Sequence, residues 1–246
     1  MTQYIFDLYG TLIDIHTDET MPSLWKKMSG FFAAYGAVYT PLQLKEAYFR
    51  TVRDEEAKMP GEYPEIDLVR VFIRLRREAP AHCSPSFAAD ERTFAETAMT
   101  MFRITSRRRF RVYPHTREVL QKLKEQGHGI WLLSNAQAVF TVPEIVQSGL
   151  YDLFDGIYIS SDHGVKKPAA EFLERLIRQY DLPKDECVMV GNDWTADIGM
   201  AYRYGIRAVY LNTAEETKEQ LRTHLLHYRK NMVRAAETIA ELIQEE

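Results

Sequence analysis

The chain has 246 residues, of which 46% are hydrophobic and 27% charged, and its net charge is −4. That size and composition suit one large globular domain, or a core with a smaller insert, and exclude a disordered or low-complexity chain. The charge balance gives no global basic field for nucleic acid or an anionic membrane, no apolar run is long enough to cross a bilayer, and two cysteines make no disulfide framework.

Tyr4, Ile5 and Phe6 read as a strand buried on both faces of a parallel sheet, ending on Asp7. Asp7 would then stand at the carboxyl end of that strand, where open α/β sheets place ligand sites, and Gly10 permits a tight turn beside a bound group. Taken alone, the stretch reads equally well as a strand ending in a capping Asp. The opening segment lacks the pattern of a signal peptide, so a cytoplasmic location is expected.

After Asp14 the pattern turns helical. Leu24, Trp25, Met28, Phe31, Phe32 and Tyr35 share one face over 22–36, and helices are expected over 41–58, 65–78 and 87–104. No strand is expected between Asp14 and Val112, so residues 15–112 read as an all-helical insert. Within it Trp25 and Phe49 read as core, and Arg50 as a candidate anion clamp. The run Arg107-Arg108-Arg109 reads as a solvated face or an interdomain contact.

From Tyr113 onward strands and helices alternate. Helices are expected at 116–126, 139–148, 168–180 and near 195–204, and strands at 129–133, 156–160, 187–191 and 207–211. Residues 214–246 read as two closing helices. The alternation predicts an α/β fold: a Rossmann-like parallel sheet core built from residues 1–14 and 113–246, carrying an all-helical cap of residues 15–112.

Four of the apolar runs end in polar groups: Asp7; Ser134 with Asn135; Lys166-Lys167-Pro168, following Ser160-Ser161; and Asn192-Asp193, with Asp197 four residues beyond Asp193. If the strands are parallel and adjacent, these groups converge on one crevice. A carboxylate, a hydroxyl with an amide, an ammonium and an acidic pair suit attack on an anionic substrate, with or without a metal.

The ordered set DLYGT, LLSN, KKP and GNDWTAD, spanning residues 7–197, resembles the four loops of the haloacid dehalogenase superfamily. The resemblance implies that Asp7 is a nucleophile forming a covalent aspartyl intermediate, and that Thr11, Ser134 and Asn135 bind the anionic group. Lys167, the lysine followed by Pro, would neutralise charge, with Lys166 as the alternative. It also implies Mg2+, held by Asp7, the backbone carbonyl of Tyr9, Asp193 and Asp197. Asn192 stands where many relatives carry the first Asp of this loop, so the choice between Asn192 and Asp193 stays open. The helical insert would act as a lid.

Tyr9, counted among the catalytic candidates, limits the functional reading. Phosphatases of the superfamily usually carry Asp here as general acid and base. A phenol, with a pKa of ~10, is a poor base at neutral pH, and the dehalogenase branch carries Tyr. The two acids of GNDWTAD argue the other way, because phosphoryl transfer brings anion to anion and gains from magnesium. The reading is a hydrolase, a Mg2+-dependent phosphatase of small phosphomonoesters. In it a cap residue or water handles the leaving-group proton. A metal-independent 2-haloacid dehalogenase and a non-catalytic regulatory protein are the alternatives. The expected partner is a small molecule, not nucleic acid or membrane, with a homodimer left open.

Overall fold

The computed structural model describes residues 1–243. Strand β1 (Gln3–Phe6) is followed by β2 (Ile13–Thr17), α1 (Pro22–Ala34), the short β3 (Ala37–Val38), α2 (Pro41–Lys58), α3 (Leu68–Arg77), the short β4 (Ala81–His82), α4 (Glu91–Ser106) and β5 (Arg107–Val112). Then come α5 (Thr116–Glu125), β6 (Gly129–Ser134), α6 (Ala138–Ser148), β7 (Gly156–Ile159), α7 (Ala170–Gln179), β8 (Cys187–Gly191), α8 (Met200–Tyr204), β9 (Arg207–Leu211), α9 (Lys218–Leu225) and β10 (Val233–Ala236).

Six strands form one parallel sheet in the order β10-β9-β8-β1-β6-β7. This is the expected α/β core. Side chains alternate along β1 as a strand buried on both faces requires. Tyr4 and Phe6 pack with Val119, Leu120, Ile130 and Val190 on one face, while Ile5 packs with Phe172, Leu176, Met189 and Ile198 on the other. The chain runs from β1 to β6 on one side, and β8 lies on the other. The order therefore reverses at β1, and the crevice opens at its carboxyl end.

Helices α1–α4 bury an apolar cluster of their own, built on Trp25, Met28, Phe32, Tyr48, Phe72, Phe94 and Phe102. Trp25 lies in this cluster and Phe49 packs against it. Local signals set the helix starts. Thr40 and Gln43 form a reciprocal capping box ahead of α2, and Asp90 accepts from the backbone N–H groups of Arg92 and Thr93 at the start of α4.

Two expectations are corrected. First, strands exist between Asp14 and Val112. β2 pairs antiparallel with β5 as a two-stranded ribbon at the root of the helical insert, and β3 pairs with β4. The ribbon is fastened by charge: Asp14, nearly buried, accepts from Arg109 Nε at 2.8 Å and Arg111 Nε at 2.7 Å. Second, residues 214–243 hold one helix, α9, then the edge strand β10 and a 3₁₀ turn over Ile239–Ile243, not two helices. Val233–Ala236 is recruited by backbone pairing to β9, an edge that outweighs local helix preference. The rest of that expectation, residues 244–246, lies outside the described residues.

Both cysteines are free, Cys187 buried in β8 and Cys83 exposed. No helix among the described residues is long and apolar enough to cross a membrane.

Candidate active site

Asp7 follows β1 directly, and its backbone N–H donates to the Val190 carbonyl of β8 at 2.9 Å. The chain then turns sharply: Gly10 has φ +86° and its N–H donates to the Ile13 carbonyl at 2.8 Å. A Cβ at Gly10 would come within 2.5 Å of the Asn192 amide, so this turn needs both the left-handed backbone and the missing side chain. The turn returns Thr11 to the strand end, where its hydroxyl donates to Asp7 Oδ2 at 2.9 Å.

Lys167 sits between two carboxylates. Its Nζ donates to Asp7 Oδ1 at 2.6 Å and to Asp197 Oδ1 at 2.7 Å, and all three side chains are nearly fully buried. Asp197 Oδ2 accepts the backbone N–H groups of Asn192 at 3.2 Å and Asp193 at 3.0 Å. Any Cβ at position 191 would stand 2.3 Å from that oxygen, so Gly191 is what admits the carboxylate. Burial alone would lower the Lys167 ammonium, but Asp197 and Asp7 outweigh it and hold the pKa well above its ordinary value. Burial and the neighbouring Asp7 push Asp197 up, against the pull of Lys167.

The second and third loops are tied together. Asn135 Nδ2 donates to the Lys167 carbonyl at 2.9 Å, and the Lys167 N–H donates to Asn135 Oδ1 at 2.8 Å. Asn135, expected to bind substrate, therefore uses its side chain to place Lys167. The adjacent Ser134 hydroxyl is buried and makes no hydrogen bond among the described residues. Lys166, the alternative lysine, points elsewhere, 4.0 Å from Glu56.

The structure departs from the expected metal cluster. Asp193 does not turn toward Asp7; its Oδ1 accepts the N–H groups of Thr195 and Ala196, both at 2.7 Å, capping the turn of π-helix over Trp194–Gly199. Asp197 is committed to Lys167 and the backbone. Asn192 instead reaches the Asp7–Thr11 turn, its Oδ1 lying 3.2 Å from Thr11 Oγ1. Among the described residues no three His, Cys, Asp or Glu side chains are grouped to hold a metal. The donor chemistry that does converge is one carboxylate and one amide oxygen, hard ligands of the kind that suits magnesium with a water-rich shell and a substrate phosphate.

The Tyr9 phenol also stands apart from Asp7. Its hydroxyl donates to the buried Glu144 of α6 and lies 3.2 Å from Thr141 Oγ1. The same carboxylate is gripped by Arg103 of α4, at 2.9 and 3.0 Å, and by Arg107 at 3.1 Å. Burial and Glu144 raise the phenol pKa far above its ordinary value, against a smaller opposing pull from Arg103. Tyr9 is thus no base or acid at neutral pH; its side chain joins the sheet core to the helical insert.

Between insert and core lies a cleft of about 280 Å³, lined among others by Tyr9, Tyr48, Glu65, Arg103, Asn135 and Gln137. Arg50 is exposed and outside this lining. His16 and His115 are exposed, and His163 stacks on Tyr158 at 3.7 Å. Sequence reasoning missed Glu65, Arg103, Gln137 and Glu144, and gave Ser160, marked at a strand end, no role. Gln137 had a faint signal, since it sits just beyond a strand end marked by polar residues; Glu65, Arg103 and Glu144 had none.

The haloacid dehalogenase-like hydrolase family matches residues 1–205. A ribulose-1,5-bisphosphate 5-phosphatase of Halopiger xanaduensis is 32% identical over 104 residues, 42% of this chain and 44% of that protein. An (S)-2-haloacid dehalogenase 4A of Burkholderia cepacia is 23% identical over 210 residues, 85% of this chain and 81% of that protein. The chain spans about half the length, or less, of the phosphatase relatives it matches. Among solved structures, a 2-haloacid dehalogenase from Pseudomonas syringae pv. Tomato DC3000 has a TM-score of 0.64 at 17% identity, covering 99% of this chain and 97% of that one. At that identity the likeness speaks for the fold alone.

Proposed function

We propose that this chain, which belongs to the haloacid dehalogenase-like hydrolases, is a phosphatase of small phosphomonoesters that works through a phosphoaspartyl intermediate on Asp7. The observation that carries the reading is the Ser134 hydroxyl, buried and without a partner among the described residues, at the carboxyl end of β6, the strand beside β1, which ends in the hydrogen-bonded Asp7 carboxylate. A buried polar group left unpaired is costly, and a phosphoryl oxygen would satisfy it. The phosphatase relatives support the same choice.

In this mechanism the Asp7 carboxylate attacks phosphorus as the bond to the alcohol oxygen breaks, and the alcohol leaves with a proton. Water then attacks phosphorus, releasing phosphate and restoring Asp7. Thr11 and Lys167 fix the attacking carboxylate through both of its oxygens. The Lys167 ammonium also offsets the charge of an anion meeting an anion, in a site dry enough for that to count. Asp197 keeps Lys167 in place. Asp7, Asn192 and the Tyr9 carbonyl would hold Mg2+, which supplies further charge neutralisation when bound. Residues 15–112 serve as a lid that excludes water over the cleft.

A second reading, a metal-independent 2-haloacid dehalogenase, is favoured by position 9. Loss of halide needs no proton, so a site without an acid there costs nothing. The deciding experiment is a hydrolysis screen with and without magnesium, on phosphomonoesters and on 2-chloropropionate. Magnesium-stimulated release of phosphate supports the phosphatase; metal-independent release of chloride overturns it. Release of neither favours a regulatory, non-catalytic role.

A further inference from the structure

The phosphatase reading leaves one proton without a source. An alcohol departs as an alkoxide unless something protonates it, and position 9, where an acid would be expected, carries a phenol committed to Glu144. The other groups lining the cleft narrow the choice. Arg103 is held by Glu144. Glu56 is exposed and stands beside Lys166, and the buried Tyr48 phenol is raised by burial above its ordinary pKa. Glu65 remains.

Glu65 belongs to the helical insert, in the bend between α2 and α3, yet it is fastened to the core. Its N–H donates to the Gly164 carbonyl at 3.2 Å, the Lys166 N–H donates to the Tyr63 carbonyl at 3.1 Å, and Pro64 and Val165 form an antiparallel bridge. Gln137 completes the clasp: its Nε2 donates to the Ile66 carbonyl at 2.8 Å and its Oε1 accepts from the Leu68 N–H at 3.0 Å. The strip thus joins the insert to the loop that carries Lys167. Within it the Glu65 side chain is aimed into the core: Oε2 accepts from Ser160 Oγ at 2.7 Å, and Oε1 lies 3.4 Å from Gln137 Nε2. It lines the same cleft as Asn135, whose side chain holds the Lys167 backbone.

We propose that Glu65 is the general acid of this enzyme, donating its carboxyl proton to the leaving alcohol oxygen as the phosphorus–oxygen bond breaks, and taking a proton from water in the second step. The proposal rests on the phosphatase reading. The cleft that Glu65 lines also reaches Tyr9 and Asn135, two residues beyond Asp7 and one beyond Ser134, so the alcohol of a phosphoryl group held at Asp7 and Ser134 would extend toward Glu65. Burial raises the Glu65 carboxyl above its usual range, and Glu56 adds to this; Ser160, Lys166 and Gln137 pull the other way. A raised carboxyl keeps its proton closer to neutrality, as the first step needs.

The test compares Glu65→Gln with wild type on two substrates, p-nitrophenyl phosphate, whose phenolate leaves without a proton, and glycerol phosphate, whose alkoxide does not. The expected result is a loss of kcat on glycerol phosphate of about 10²–10⁴-fold, a much smaller loss on p-nitrophenyl phosphate, and disappearance of the fall in kcat/KM that wild type shows on glycerol phosphate as pH rises. Ser160→Ala, which removes a hydrogen bond that stabilises the carboxylate, should move that fall to higher pH. Equal losses of Glu65→Gln on both substrates, or a change in KM alone, would overturn the proposal. Wild type inert on p-nitrophenyl phosphate would overturn the phosphatase reading itself.

Discussion

The hydroxyl of Tyr9 donates to the carboxylate of Glu144, and this single contact moves position 9 out of the chemistry and into the architecture. Glu144 lies in the sheet core, while the arginines that share it, Arg103 and Arg107, belong to the last helix and returning strand of the insert. Tyr9→Phe should therefore destabilise the protein, by about 1.5–3 kcal/mol for a lost hydrogen bond to a charged group, and lower kcat by less than about tenfold. Loss of an acid or base would cost ~10²–10⁴-fold. Thermal melts and steady-state rates on p-nitrophenyl phosphate separate the two; a thousand-fold loss of kcat at unchanged stability would return Tyr9 to the chemistry.

Lys167 and Lys166 are adjacent in sequence and separate in role. Lys167→Met leaves Asp7 and Asp197 buried side by side without their cation, and should cost about 3–5 kcal/mol of stability together with measurable turnover. Lys166→Met should change both little, because its nearest acid, Glu56, is exposed. Urea unfolding of the two variants is the check, and equal effects would contradict the assignment.

Magnesium affinity should follow Asn192, not Asp193. Asn192→Asp adds a carboxylate beside Asp7, so calorimetry should show affinity raised by roughly tenfold or more, as affinity follows ligand charge. Asp193→Ala should leave affinity close to wild type and cost about 1 kcal/mol of stability through the lost helix cap. Loss of binding in Asp193→Ala alone would make Asp193 the ligand.

The root of the insert should loosen in acid. Burial would raise Asp14, but Arg111 and Arg109 outweigh it and hold the carboxyl below the usual range. A depressed pKa means the contribution is present above the ordinary value of 3.8 and is lost as pH falls through the lower folded value. The stability difference between wild type and Asp14→Asn should thus be full at pH 7 and shrink below that ordinary value. A difference that grows in acid would contradict the ion pairs.

The core was legible because its signals are local. Each buried strand is an apolar run, each ends in a polar residue, and parallel order follows from the alternating helices, so the strand-end positions of Asp7 and Ser134 were legible in the pattern; Thr11 and the preference for Lys167 over Lys166 came from the resemblance of the loops to the haloacid dehalogenase superfamily. The ribbon of β2 and β5 was not, since Arg107–Val112 is half-exposed and its arginines hide the alternation. Asp193 and Asp197 look alike in sequence; the π-helical turn gives one to the backbone and the other to Lys167. The Tyr9–Glu144 and Glu65–Ser160 contacts join residues 135 and 95 positions apart, and nothing periodic announces them.

The central claim is a covalent bond to Asp7. The enzyme, mixed with p-nitrophenyl phosphate and magnesium, quenched in acid and reduced with borohydride, should carry homoserine at position 7 when its peptides are analysed by mass spectrometry, because an acyl phosphate is reduced where a free carboxylate is not. Asp7→Asn should show no homoserine and no turnover. Steady phosphate release with position 7 unmodified, or near-normal turnover by Asp7→Asn, would contradict the account.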